Sequence, residues 1–356
     1  MVTRVDPSAT PRPPSSALRV LFVGGTGVIS SAAAQRAVAM GHRLTVLNRG
    51  RESVHPVPDE AEVLRADIRD PASVRAVLGE RTFDVVADFV AFSADQVAAD
   101  IELFTGRTGQ YVFISSASAY QKPPAQLPIR ESTPLRNPFW QYSRDKIACE
   151  DLLVKAYREE GFPATIVRPS HTYDRTAIAL TGGWTDIARM RAGKPVVVHG
   201  DGTSLWTLTH SSDFAKAFVG LLGLPQAVGD SFTITSDEYL PWNRIYELFA
   251  EAAGAPTPRL VHIASDTIAA AAPDLGPSLL GDKSHSVVFD NSKVKALVPE
   301  FICTVPFAVG VRQIISWFDS NPARQTVDQG LNATFDQLIA AARPPSGAAV
   351  QAPRLR

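Results

Sequence analysis

Short apolar runs rich in Val, Ile and Phe alternate, along the first half of the chain, with longer stretches whose apolar positions recur three and four residues apart. The runs Arg19 to Val23, Arg43 to Leu47, Val63 to Ala66, Val85 to Phe89, Tyr111 to Ser115 and Thr165 to Arg168 are too short for buried helices and are bounded by turn residues, so they read as strands. A strand covered on both faces needs an almost continuous apolar run. The alternation therefore predicts βαβ units and a doubly wound parallel sheet of these six strands, an α/β fold. Beyond Tyr173 the pattern loosens into a helix near Asp186 to Arg191, strands near Pro195 to Val198 and Ser231 to Thr235, and helices near Trp242 to Ala253 and Ala308 to Phe318. These predict a larger domain over residues 18–173, to which 206–235 returns, and a smaller C-terminal α/β substrate domain built from 174–205 and 236–342. The segments 1–17 and 343–356 are rich in proline and lack apolar periodicity; both are expected to be disordered tails.

Composition narrows the class. With 356 residues the chain has ample length to bury a core of one or two domains. The balance of 35 Lys+Arg against 36 Asp+Glu leaves a formal charge of -1, which gives no general attraction to nucleic acid or anionic lipid. The 2 cysteines, Cys149 and Cys303, are far apart and form no Cys-x-x-Cys pair, so neither a disulfide framework nor a zinc cluster is expected. No apolar run approaches the ~20 residues of a membrane helix. A reducing, cytoplasmic setting without membrane contact is the expectation.

The first strand runs directly into Gly24-Gly25-Thr26-Gly27-Val28-Ile29-Ser30 and then into a helix start. Glycine belongs where a backbone turns sharply and approaches a pyrophosphate, which then rests on the helix N-terminus. Placed after the first strand and before the first helix, the turn indicates a Rossmann-type dinucleotide site. After the second strand comes Asn48-Arg49-Gly50-Arg51, where NAD-binding folds carry an acidic residue for the ribose 2′-hydroxyl. A neutral Asn beside two arginines does not repel a 2′-phosphate, so NADP is allowed and favoured slightly over NAD; Arg49 lying over adenine or in solvent is the other reading. Asp67 is placed to accept from the adenine amino group, whereas Asp70 before Pro71 reads as a helix cap.

Tyr142 and Lys146 are four apart at the start of a helical stretch, on one helix face, so an ammonium can lie near a phenol and favour its ionised form. That pairing turns a weak acid into a general acid/base. Upstream, Ser115-Ser116-Ala117-Ser118-Ala119-Tyr120 closes the fifth strand, where carboxyl ends face the ligand crevice. Together with Asp67-Ile68-Arg69-Asp70, Val167-Arg168-Pro169-Ser170 and Gly200-Asp201-Gly202 with His210 and Asp213, this ordered set resembles the extended short-chain dehydrogenases/reductases of the NAD-dependent epimerase/dehydratase family over roughly 18–318. The resemblance implies that Tyr142 is the acid/base, that Lys146 holds the nicotinamide ribose and tunes Tyr142, and that Ser116 supports the substrate oxygen, ahead of Ser115 and Ser118. It also implies cofactor contacts from Gly24, Thr26, Gly27, Val28, Ile29, Asn48, Arg49, Asp67, Ile68, Phe89, Tyr142, Lys146 and Pro169, and a homodimer formed through two helices from each chain. A tighter likeness, carried by the Gly-Gly-Thr-Gly-x-Ile-Ser turn and Phe289-Asp290-Asn291-Ser292-Lys293, extends to a subgroup that includes chloroplast stem-loop RNA-binding proteins.

Two departures matter. The acidic pair that sugar 4,6-dehydratases place after the supporting hydroxyl is Ala117 and Ser118 here, which argues against that dehydration. Where relatives acting on nucleotide-diphosphate sugars carry an Arg, this chain has Trp206, a stacking face for a sugar or base or else a core aromatic; Arg175, Arg189 and Arg191 are the other candidates to hold a diphosphate. Ser118, His171 and Trp206 are expected substrate contacts, and His210 is expected to order the domain junction before a helix starting at Ser211 to Asp213. No metal-ligand spacing is present. The leading expectation is an epimerase of a sugar-containing small molecule (nucleotide-sugar, nucleoside or glycoside) with a retained nicotinamide. Its rivals are a ketoreductase or dehydrogenase that exchanges NADP(H), and an RNA-binding protein on the same fold, against which the charge balance counts.

Overall fold

A computed structural model describes residues 17–342, so the expected tails lie outside the described residues except for Ala17. β1 (Arg19–Val23) leads through the glycine turn into α1 (Val28–Ala39) and β2 (Arg43–Asn48). A long loop then leads to β3 (Glu62–Arg65), α2 (Pro71–Leu78), β4 (Val85–Asp88), α3 (Ala94–Phe104) and β5 (Tyr111–Ile114). The 20-residue α4 (Gln141–Glu160), ended by Gly161 in the left-handed region at φ 72, precedes β6 (Ala164–Pro169) and β7 (His171–Tyr173).

The remaining elements are α5 (Trp184–Arg191), β8 (Val196–His199), β9 (Leu205–Trp206), β10 (Leu208–His210), α6 (Ser211–Leu221), β11 (Ser231–Ile234), β12 (Leu240–Pro241) and α7 (Trp242–Ala252). They are followed by β13 (Leu260–Ile263), α8 (Ser265–Ala271), α9 (Gly276–Ser278), a π-helical turn at Leu279–Lys283, α10 (Ser292–Leu297), α11 (Phe307–Asp319) and α12 (Gln329–Ala342).

The main sheet has seven parallel strands in the order β11-β6-β5-β4-β1-β2-β3. Six are those expected, within a residue or so at each end, and the seventh, β11, comes from the segment expected to return to this sheet. The five central strands, β6, β5, β4, β1 and β2, serve two cores: Val20 and Phe22 of β1 pack with α1 and α6, whereas Leu21 and Val23 face the side of α3 and α4. That two-sided burial is why the strands read as unbroken apolar runs. The order reverses between β1 and β4, which opens a crevice at their carboxyl ends. A third core, containing Trp184, Trp206, Trp242, Tyr246 and Phe249, lies beneath three small two-stranded pairings, β10 with β7, β12 with β9 and β13 with β8.

Candidate active site

The crevice contains two adjoining cavities that share Phe92 as a wall. The outer one, about 380 Å³, is lined by Gly24, Thr26, Asn48, Arg49, Arg51, Asp67 and Ile68. The inner one, about 320 Å³, is lined by Gly27, Val28, Ile29, Phe89, Ser116, Tyr142, Lys146 and Pro169. Every residue expected to contact a dinucleotide therefore borders one trough running from the end of β2 to the start of α4.

Backbone geometry fits that ligand. Gly24 and Gly25 have φ of +96 and +130, and a Cβ on Gly25 would stand 2.7 Å from Val46 Cγ1, so a side chain is refused on both conformational and steric grounds. Ser30 stands where the fingerprint usually has a third glycine. It is buried, and its Oγ accepts from the Gly27 N–H at 2.9 Å, so the extra atoms brace the turn instead of loosening it. The N-terminus of α1 has no acidic residue in its first turn and points its N–H groups at the trough, which suits a pyrophosphate. At the outer end Asn48 Oδ1 accepts from Gly50 N–H at 2.8 Å, and Asp67 Oδ1 accepts from Arg69 N–H at 3.0 Å. Arg49 is half exposed and 4.0 Å from Asp67, and Arg51 makes no hydrogen bond or ion pair among the described residues. Asp70 caps α2 as expected, accepting from Ala72 and Ser73.

At the inner end, α4 sets Tyr142 and Lys146 one turn apart. Lys146 is 2% exposed; its Nζ donates to the carbonyls of Ala91 and Ile114, each at 2.7 Å, and stands 5.9 Å from the Tyr142 ring centroid. Burial lowers its pKa to about 8. The turn that presents the Ala91 carbonyl is braced by Asp88, a fully buried side chain absent from the sequence reading, whose Oδ1 accepts from Val90 and Ala91 N–H at 2.5 and 2.8 Å. Burial raises the Tyr142 pKa, and the Ser116 hydroxyl, which lines the same cavity, opposes the rise. Ser115 lines the inner cavity too, but its hydroxyl donates to Glu150, which leaves Ser116 as the lining serine beside Tyr142 whose hydroxyl is not tied to a carboxylate.

The three expected substrate contacts fare differently. Ser118 is 3% exposed and bonded to Ser116 and Ser143, so it lies behind the wall of the crevice and does not line it. Trp206 is 1% exposed, packed against Trp242 at 5.3 Å with its indole N–H unpartnered among the described residues, which makes it a core aromatic and not a stacking face. His171 lines neither cavity; it stands edge-on to Trp206, and burial lowers its pKa to about 4, which favours the neutral imidazole. Arg189 is tied to Asn332, Asp336 and the Pro195 carbonyl, and Arg191 to Asp319; neither is free to hold a diphosphate. His210 caps α6 and bonds Gln313 at 3.1 Å, the junction role expected of it.

Sequence reading also missed the loop after β2. Ser53 donates to the Thr26 carbonyl at 3.0 Å, and His55 Nε2 meets Asp174 Oδ2 at 2.6 Å. The loop thus crosses the N-terminal end of α1 and is fastened beyond β7. Among the described residues no group of three His, Cys, Asp or Glu side chains could hold a metal, and no helix is long and apolar enough to cross a membrane.

The profile of the NAD dependent epimerase/dehydratase family matches residues 20–108 and 98–234. The chain belongs to that family. It is 28% identical over 260 residues to the chloroplast stem-loop binding protein of 41 kDa b of Arabidopsis thaliana, covering 70% of this chain and 66% of that one. It is also 28% identical over 250 residues to 2'-dehydrokanamycin reductase of Streptomyces kanamyceticus, covering 69% of each. Among solved structures, the UDP-glucose 4-epimerase from Bifidobacterium longum in complex with NAD+ and UDP superimposes with a TM-score of 0.67 at 18% identity, over 85% of this chain and 98% of that one, a likeness of fold.

Proposed function

We propose that this member of the family is a nicotinamide-dependent enzyme that epimerises a carbinol centre of a sugar-containing small molecule, with the dinucleotide retained between turnovers. The observation that carries retention is the loop Arg49 to Pro58: it walls the adenosine end of the trough, binds back to Thr26, and is clasped to Asp174 through His55. A nicotinamide bound in the inner cavity would supply a hydride acceptor and donor. Tyr142 takes the hydroxyl proton as the carbinol becomes a ketone and returns it when the ketone, turned over in the crevice, is reduced on its other face. Lys146 places positive charge beside the phenol and favours its ionised form. Ser116, which lines the inner cavity, hydrogen-bonds the reacting oxygen.

A second reading, a reductase that exchanges NADPH each cycle, is supported by the unpaired Arg51 and half-exposed Arg49 at the ribose end and by the likeness to a dehydrokanamycin reductase. The experiment is to denature the purified protein, identify and count its dinucleotide by mass spectrometry, and incubate it with a panel of sugars and glycosides beside Tyr142→Phe. Stoichiometric dinucleotide with redox-neutral interconversion, lost in Tyr142→Phe, supports the epimerase; empty protein that consumes NADPH supports the reductase. An RNA-binding activity lacks a charge basis in a chain of formal charge -1.

A further inference from the structure

Behind Ser116 lies a chain of hydroxyls that no part of the proposed chemistry has used. Ser143 sits on α4 directly after Tyr142, is fully buried, and its Oγ donates to Ser118 Oγ at 2.7 Å. Ser118 Oγ lies 2.9 Å from Ser116 Oγ, and the Ser118 backbone N–H donates to Ser116 Oγ at 3.2 Å. Asn137 fixes the same turn by donating to the Ser118 carbonyl at 2.9 Å and to the Gly281 carbonyl at 2.7 Å.

With Ser143 donating to Ser118, one arrangement gives every buried proton of the chain an acceptor. A serine hydroxyl has one proton to donate and two lone pairs with which to accept. Ser118 Oγ accepts from Ser143, and its own proton has a single acceptor within reach, Ser116 Oγ. Ser116 Oγ then accepts twice, from the hydroxyl and the backbone N–H of Ser118. Its lone pairs are filled, and its one proton is left for the crevice, where Tyr142 stands.

We propose that Ser143 and Ser118 are positioning residues, a buried hydroxyl relay that locks Ser116 as a hydrogen-bond donor toward the Tyr142 phenol and the substrate oxygen beside it. The inference rests on the reading of Tyr142 as the acid/base and adds what makes Ser116 a donor. Donation from Ser116 stabilises an oxyanion, either phenolate or developing alkoxide, and a hydroxyl free to rotate does so only part of the time. The relay also gives the Ala117-Ser118 pair a role of its own: a neutral hydroxyl at position 118 passes orientation to Ser116, where a carboxylate would accept from both neighbours and turn the Ser116 proton away from the crevice.

The test needs no substrate. With the protein saturated with oxidised dinucleotide, the tyrosinate absorbance of each variant is titrated with pH and the Tyr142→Phe titration is subtracted, leaving the phenol of Tyr142. Ser143→Ala should raise its apparent pKa by roughly one unit, the size of a weakened hydrogen bond to a charged group, with Ser118→Ala doing the same and dinucleotide affinity unchanged. In a Ser116→Ala background, Ser143→Ala should add nothing, because its effect passes through Ser116. An unmoved phenol in Ser143→Ala, or an equal shift in both backgrounds, overturns the relay. Turnover by Tyr142→Phe would instead overturn the acid/base reading, so the two failures are distinguishable.

Discussion

His55 Nε2 lies 2.6 Å from Asp174 Oδ2, a contact between residues 119 apart that fastens the loop after β2 to the chain beyond β7. The two side chains are only 13% and 12% exposed, so solvent screens the contact less than an ordinary surface pair. Thr176 Oγ1 donates to the other oxygen of Asp174 at 2.6 Å and holds the carboxylate in place.

If this clasp retains the dinucleotide, Asp174→Asn and His55→Ala should each weaken retention about tenfold, the equivalent of ~1.4 kcal/mol. The fraction of dinucleotide surviving gel filtration measures it. Unchanged retention in both variants would show that the loop is no barrier to release.

The ribose end makes a prediction about cofactor choice. Arg51→Ala and Arg49→Ala should cost about tenfold or more in affinity for NADP(H), because a phosphate loses a charge-assisted partner, and little for NAD(H). Fluorescence titration of both reduced dinucleotides gives the comparison; equal losses for the two would remove the arginines from the 2′-phosphate site.

Lys146 predicts a pH dependence. Its folded pKa of about 8 lies below the ordinary 10.5, so the ammonium and its field on Tyr142 fade as pH rises through 8, and the Tyr142-dependent step should slow there. Stability runs the other way. Between about 8 and 10.5 the unfolded chain binds more protons than the native one, so the burial penalty is full below 8 and is relieved as pH rises. Lys146→Met should therefore lose activity yet gain up to ~3 kcal/mol of stability at neutral pH. Denaturant melts at pH 7 and pH 10 measure the gain; a gain no larger at pH 7 than at pH 10 would contradict it.

Asp186 predicts the opposite slope. It is fully buried, its Oδ1 has no hydrogen-bond partner among the described residues while its Oδ2 accepts from Gly182 N–H at 2.8 Å, and burial pushes its pKa up to about 7 from 3.8. The native state holds that proton longer than the unfolded one, so stability is lost as pH rises from about 4 through 7. Asp186→Asn should stabilise the protein by ~1–3 kcal/mol above pH 7 and scarcely at pH 4, read from thermal melts at the two values.

The sequence by itself determined the sheet, the glycine turn and the Tyr142–Lys146 pair. Each of these is written in local spacing: unbroken apolar runs for strands covered on both faces, a turn that admits no side chain at Gly25, and two residues one helical turn apart. The tertiary structure decided everything that depends on what lies opposite. Trp206 and Ser118 were legible as an aromatic and a hydroxyl near the crevice, but which way they face is settled by Trp242 and Ser143, residues from other elements. Arg189 and Arg191 carried the right charge for an anionic substrate and were consumed by Asp336 and Asp319, far along the chain. His55 and Asp174 carried no signal at all, since a lone histidine in a polar loop acquires meaning only when folding brings a distant carboxylate to it. Periodicity reports on neighbours in sequence, whereas hydrogen bonds and charge pairs are formed with neighbours in space.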